Sequence, residues 1–142
     1  MTDPEIMARM ADEARKAVLV EMRPIEDLAA IAGRTAAEMQ CDLHRWKVEG
    51  RIFSVEHHGA ELFPAFALDP NSQYSPYPVV NLVLRILGDV FDRGNAWALA
   101  SWFIGVNSYL DDQRPQDLLA SDPEWVIDAA RDEVETGKFP HG

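Results

Sequence analysis

The sequence predicts a mainly α-helical protein with a small β-hairpin: a helix-turn-helix with a wing-like hairpin, followed by a small helical domain. Three observations predict it. Two short amphipathic segments meet at Gly33, with helix stop and start signals on either side. A partly alternating apolar stretch follows at residues 52–66, interrupted by the turn pair His58-Gly59. Beyond Pro78, apolar residues recur at three- and four-residue steps almost to the end of the chain.

The elements are justified in order. Residues 4–22 place Met7, Ala11, Ala14, Val18 and Met22 on one helical face. Asp3 suits the N-cap, Pro4 the first turn, and Arg23 the C-terminal end of the helix dipole. This helix either packs on its own domain or pairs two subunits. A short helix, Ile25 to Ala32, starts after Pro24 and ends at Gly33, which enters the left-handed conformation cheaply. Thr35 and Glu38 have capping-box spacing at the start of the next helix. There Met39, Leu43 and Trp46 form an i, i+4, i+7 stripe that stops at Gly50. Ala29 lies four residues before Gly33 and Met39 six beyond it. A small residue, a turning glycine and a locking apolar residue at that spacing are what a helix-turn-helix requires. An ordinary bent helical pair is the alternative. In the hairpin, Ile52, Phe53 and Val55 lead to a return strand over Glu61 to Phe66, with Pro64 confining it to an edge or ending it. Phe53, Phe63 and Phe66 are expected to pack on the helices, because so small a hairpin is unstable alone.

Residues 69–78, DPNSQYSPYP, read as a linker between residues 1–68 and a helical unit at 79–142, with Tyr74 and Tyr77 as anchors. In that unit Val79, Val83, Ile86, Leu87 and Val90 define one helix, ended by Gly94. Asn95 caps the next, which carries Trp97, Leu99, Ala100, Phe103 and Ile104 and is apolar nearly all round until Gly105. Asn107 caps a turn toward Leu110, and Pro115, Leu118 and Leu119 form another short helix. A last helix begins near Ser121, whose spacing to Glu124 again suits a capping box, and runs to Thr136. The tail from Lys138 is expected to be mobile.

If the second helix of the helix-turn-helix enters a major groove, the contact candidates are Arg34, Thr35, Ala36, Ala37 and Gln40, with Arg45, Lys47 and Arg51 for phosphates. Each of these also reads as an ordinary solvated helix residue. The charge balance works against DNA. The 142 residues carry a net charge of -11, divided as -1 over residues 1–23, -3 over 24–66 and -7 over 67–142. Non-specific attraction to nucleic acid needs a positive surplus, so any DNA contact must come from a local patch, doubled by dimerisation. The acidic second half suits a basic protein partner, or is simply a solubilising surface.

Other classes find less support. No apolar run reaches the roughly 18 residues that cross a bilayer. The first 16 residues are acidic where a secretory leader is basic and then apolar, so the expectation is a cytoplasmic protein without membrane contact. The single cysteine, Cys41, excludes an internal disulfide and reads as half-buried. His57 and His58 point to opposite faces of a strand, and Cys41 with His44 has no spaced second pair, so no metal or cofactor is expected. Asp111/Asp112, Asp117 and Asp128/Asp132/Glu133 come without a nucleotide loop, zinc-hydrolase motif or nucleophile elbow, and a non-enzyme is expected.

Two segments carry a resemblance. Trp46 to Phe66, WKVEGRIFSVEHHGAELFPAF, is similar to the tryptophan, phenylalanine, glycine and YPAFQF series of the Xre/MbcA/ParS-like antitoxins, with Phe63 in place of the usual tyrosine and Ala67 after Phe66 where polar residues are common. Trp102 to Leu119, WFIGVNSYLDDQRPQDLL, resembles that family's W…N..L.G..P..LL pattern, with Asp112 where glycine is usual and Val106 where proline is frequent. The resemblance implies a helical DNA-binding-like unit before a C-terminal toxin-binding domain. It implies a dimer that holds a partner toxin inactive and represses its own promoter; family toxins include NAD-consuming and ADP-ribosylating enzymes of the RES type. By position it offers Trp102, Asn107, Leu110, Pro115, Leu118 and Trp125 as toxin-contact or loop-shaping residues. Two other readings stay open: a stand-alone transcriptional regulator, and a helical oligomeric protein whose helix-turn-helix no longer binds DNA.

Overall fold

The computed structural model describes residues 4–88 and 95–136, and the fold is mainly α with a small β region. Asp3, Val90, Gly94 and the tail from Lys138, all assigned roles above, lie outside the described residues.

Helix α1 spans Pro4–Glu21. It stops one residue short of Met22, because Met22–Pro24 leaves the helix as strand β1. Arg23 still serves the helix end: its Nη1 donates to the Val20 carbonyl at 3.1 Å. Helices α2 (Ile25–Ala32) and α3 (Ala36–Val48) flank the expected turn. Gly33 sits at φ 68° and ψ 36°. Its N–H donates to the Ala30 carbonyl and the Arg34 N–H to the Ala29 carbonyl, the paired bonds of a Schellman motif. The capping box of Thr35 and Glu38 is complete, and the Thr35 hydrogen bonds hold the Glu38 carboxyl below its ordinary value.

Strands β2 (Val55–His57) and β3 (Ala60–Pro64) form the hairpin. Its turn residues His58 and Gly59 have φ of 50° and 78°, as the right-handed twist of a two-residue hairpin demands. The hairpin is one part of a larger unit, since β1 pairs antiparallel with β3 (Met22 opposite Pro64, Pro24 opposite Leu62) and the strand order is β1-β3-β2. β3 is therefore central, and it ends at the residue that cannot donate, Pro64. The segment 69–78 contributes a second, two-stranded ladder, β4 (Leu68–Asp69) with β5 (Ser75–Pro76). Helices α4 (Pro78–Leu87), α5 (Ala96–Ile104) and α6 (Pro123–Thr136) complete the fold, with 3-10 turns at Ser108–Leu110 and Pro115–Leu118 between the last two. Asn95 caps α5 by accepting from the Ala98 N–H. At α6 the capping side chain is Asp122, not Ser121: its Oδ1 accepts from the Trp125 N–H at 3.3 Å. Pro123 occupies the first helical position, so the residue immediately before it is the one placed to cap.

Two apolar clusters hold the chain together. The first joins Leu28, Ala29, Met39, Leu43 and Trp46 of the helix-turn-helix to Ile52, Phe63 and Leu68. The second joins α4, α5 and α6 through Val83, Leu87, Trp102, Phe103, Val126 and Ala130, and it also takes in Val18, Met22, Phe53 and Val55 from the first half. Phe63 packs on the helix-turn-helix as expected. Phe53 and Phe66 also pack on a helix, meeting Phe103 of α5 at centroid separations of 5.9 and 5.5 Å. The core thus crosses the segment at residues 69–78. The end of α1 and one face of the sheet belong physically to the second cluster.

A Cβ at Gly33 would meet nothing within 4 Å, so its only demand is the left-handed φ. Gly33→Val should therefore destabilise by about 1–2 kcal/mol in urea denaturation, and Gly33→Asn by clearly less, because asparagine tolerates that conformation.

Candidate functional site

Two surfaces collect the residues singled out by the sequence. The first is the outer side of α3. Ala36, Ala37 and Gln40 are exposed there, and the Thr35 hydroxyl is engaged in the cap. The four basic candidates are all paired with acids. Arg34 and Arg45 both bind Asp42, the latter at 3.1 Å. Lys47 donates to Glu61 at 2.7 Å. Arg51 lies 3.5 Å from Glu49. Arg45 and Arg51 also stand over the Trp46 ring, at 5.9 and 5.8 Å from its centroid. Sequence reasoning named the cations but not the carboxylates that hold them. It missed that Asp42 clamps two arginines, one three residues along α3 and one across the turn. The i, i+3 pair was legible in the spacing; the cross-turn pair needed the Gly33 geometry. Arg34, Asp42, Arg45 and Trp46 border a recess of about 360 Å³, closed by Ser72, Gln73 and Ser75 of the 69–78 segment.

Glu61 ties this surface to the sheet. Partial burial opposes its charge, but hydrogen bonds from Lys47, Ser54 and His44 outweigh that and hold the carboxyl below its ordinary value of 4.5. Cys41 is exposed rather than half-buried, because it faces away from the Met39-Leu43-Trp46 stripe. His57 lies edge-on to Trp97 at 6.3 Å. Among the described residues no three His, Cys, Asp or Glu side chains gather as a metal site would need.

The second surface is the loop between α5 and α6. Of the residues offered by the resemblance, Trp102, Leu110, Pro115 and Leu118 are buried, Trp125 is half-buried, and Asn107 shapes the loop. The Asn107 Oδ1 accepts from the Tyr109 N–H at 2.9 Å, and its carbonyl accepts from the N–H groups of Leu110 and Asp112. Its own N–H donates to the Gln113 carbonyl at 3.0 Å, closing the loop. Asp111 and Asp112 have φ of 55° and 63°. The place where the resemblance has glycine is thus a left-handed position, and aspartate is among the few other residues that accept it. Arg114 fastens the loop to its surroundings by a two-bonded contact with Asp117 (3.0 and 3.3 Å) and a 3.5 Å contact with Glu21 of α1. What the loop displays outward is Val106, 73% exposed, and Tyr109, 41% exposed, beside the exposed Asp111 and Asp112. Next to it lies a recess of about 230 Å³, bordered by Val106, Asn107 and Ser108. Trp102 and the buried Glu133 also line it. The buried indole Nε1 of Trp102 has no acceptor among the described residues. Val106 and Tyr109 were not among the candidates, since the conserved-looking types in the pattern are the ones that build the loop rather than those it presents.

Compared with known proteins, the chain matches no family model, no curated protein and no solved structure.

Glu61 has a depressed carboxyl value in the folded chain, so its contribution is complete above pH 4.5 and is lost as pH falls through the folded value. Lys47→Met should shrink the acid-side loss of stability below that pH while leaving the neutral-pH stability within about 1 kcal/mol of wild type. Urea denaturation at a series of pH values between neutral and acid measures both.

Proposed function

We propose that this protein is an antitoxin-like binder: it engages a partner toxin through the α5–α6 loop and holds it inactive. The observation that carries the reading is the loop itself. Seven residues, from Asn107 to Gln113, are fixed by their own backbone and Asn107 hydrogen bonds, while Tyr109 within them and Val106 just before them stay in solvent. A loop already rigid loses little conformational freedom on binding, and an exposed tyrosine with an apolar neighbour is the kind of anchor that carries binding energy. The flanking carboxylates, on the half of the chain that holds -7 of the charge, favour a basic partner surface. The recess beside the loop, bordered by Val106, Asn107 and Ser108, gives a partner's side chain a place to seat. The resemblance supplies the class of partner, an NAD-consuming or ADP-ribosylating enzyme.

The test is co-purification with the product of the adjacent gene, followed by an assay of its NAD consumption. A stoichiometric complex in which NAD consumption stops is expected. Tyr109→Ala and Val106→Asp, both at exposed positions, should weaken the complex by roughly tenfold or more without lowering the melting temperature. Absence of a complex, or full affinity in both variants, would refute the reading.

A second reading, operator binding by paired copies, rests on the small and neutral side chains Ala36, Ala37 and Gln40 near the start of α3, which leave room for base edges. Here Asp42 is the obstacle, because it occupies Arg34 and Arg45. Asp42→Asn should raise duplex affinity and steepen its fall with salt by about one to two phosphate contacts. A wild-type protein and variant that both ignore duplex DNA at low salt would remove this role.

A further inference from the structure

The fold covers helix α1 only near its C-terminal end. Val18 is buried against the second cluster, Arg15 stands over the Trp97 ring at 5.5 Å, and Met22 leads into the sheet. At roughly 100° per residue, Ile6, Met10 and Ala17 fall within an arc of about 40°, turned about 100° away from Val18. Ile6 is 48% exposed, Met7 57% and Met10 64%, and Ala17 and Val20 are exposed as well. Ile6 and Met10 line an almost wholly apolar groove with Arg9 and Glu13 at its edges. Every described side chain from Pro4 to Ala17 is solvent-exposed, so more than three turns of helix stand with little among the described residues to cover them beyond the Arg15–Trp97 contact. Turns of helix without a packed face are marginal in water, and an exposed apolar stripe of this kind marks an interface.

We infer that the cover is a second copy of α1, packed antiparallel across a two-fold axis near Met10. Charge selects this occupant. Residues 4–17 carry Glu5, Asp12 and Glu13 against Arg9, Arg15 and Lys16, a balance of zero in a chain of -11. A basic partner would be drawn to the acidic second half rather than to this neutral helix. Two acidic bodies can approach each other only where the charge is balanced. With Met10 on the axis, Arg9 of one copy comes within a helical turn of Glu13 of the other, and symmetry makes that pair twice. The antiparallel sense also parts the bodies. Residue 20 lies ten residues from the axis, so the two anchored ends stand about 30 Å apart at 1.5 Å per residue, several times the screening length of about 8 Å at physiological salt. A parallel pair would bring the acidic bodies side by side. The inference stands independently of toxin or operator binding.

The experiment is sedimentation velocity of the full chain at several concentrations, with thermal melts as a folding check. The wild type should run at about twice 16.0 kDa at tens of micromolar. Met10→Glu should run as a monomer with an unchanged melt of the body. Arg9→Glu should weaken the dimer by about tenfold, since it turns two attractive pairs repulsive, and Arg9→Glu with Glu13→Arg should restore it. A wild type that stays monomeric to about 100 micromolar overturns the inference, as does a Met10→Glu dimer of undiminished strength. A charge-swapped double variant no tighter than Arg9→Glu overturns the antiparallel arrangement.

Discussion

The three-stranded sheet is the constraint on which the rest of this structure depends. Its central strand is β3, and neighbouring side chains on a strand point to opposite faces. Phe63 therefore enters the cluster of the helix-turn-helix, while Leu62 packs against the cluster of α4, α5 and α6. The same division appears just before β2, where Ile52 joins the first cluster and Phe53 the second. A slip of one residue in the pairing of β1 with β3 would exchange these faces and unseat both clusters at once. A sheet only three to five residues long is weak by itself. Here it is fixed because each of its faces is a wall of a different core.

This arrangement explains which parts of the fold were legible in the sequence. The turn at Gly33, the Thr35–Glu38 box and the His58-Gly59 turn are local devices whose signals lie within a few residues, and each is where the spacing put it. Strand β1 is not local. Met22 continues the apolar period of α1, and only Leu62 to Pro64, some forty residues away, recruits it into a sheet. The fate of Phe53 and Phe66 was hidden for the same reason: an aromatic side chain announces that it will be buried, not against which helix. Trp102, Leu110, Pro115 and Leu118 show the matching limit at the candidate site. The motif offered the residues that make the loop, while the side chains that the loop exposes, Val106 and Tyr109, are identified only once the loop's fold shows which positions face solvent.

The electrostatics of α3 follow from the same packing. Lys47 reaches Glu61 because β3 lies beside α3, and Arg34 reaches Asp42 because the Schellman turn folds the chain back. The two arginines on the Trp46 ring gain contacts that do not depend on a phosphate. The helix presents its cations already neutralised. Any anion that meets this surface must first displace a carboxylate, so attraction at a distance is weak and affinity has to come from close fit. That is an unusual starting point for a DNA reader, whereas a protein-binding surface, which relies on shape and apolar anchors, loses nothing by it.

The anchoring of α1 links the surfaces. Its last turns are held at three points: Val18 in the second cluster, Arg15 over Trp97, and Glu21 against Arg114 of the α5–α6 loop. Met22 then passes directly into the sheet that carries the hairpin. The projecting half of α1 continues from that anchored end, so its direction is set there relative to both α3 and the loop. A pair formed through such helices holds its two α3 helices at a fixed separation and its two loops at another. Operator half-sites would have to match the first distance, since no flexible joint could adjust it. The two loops would carry no such restriction, since each could meet a separate partner.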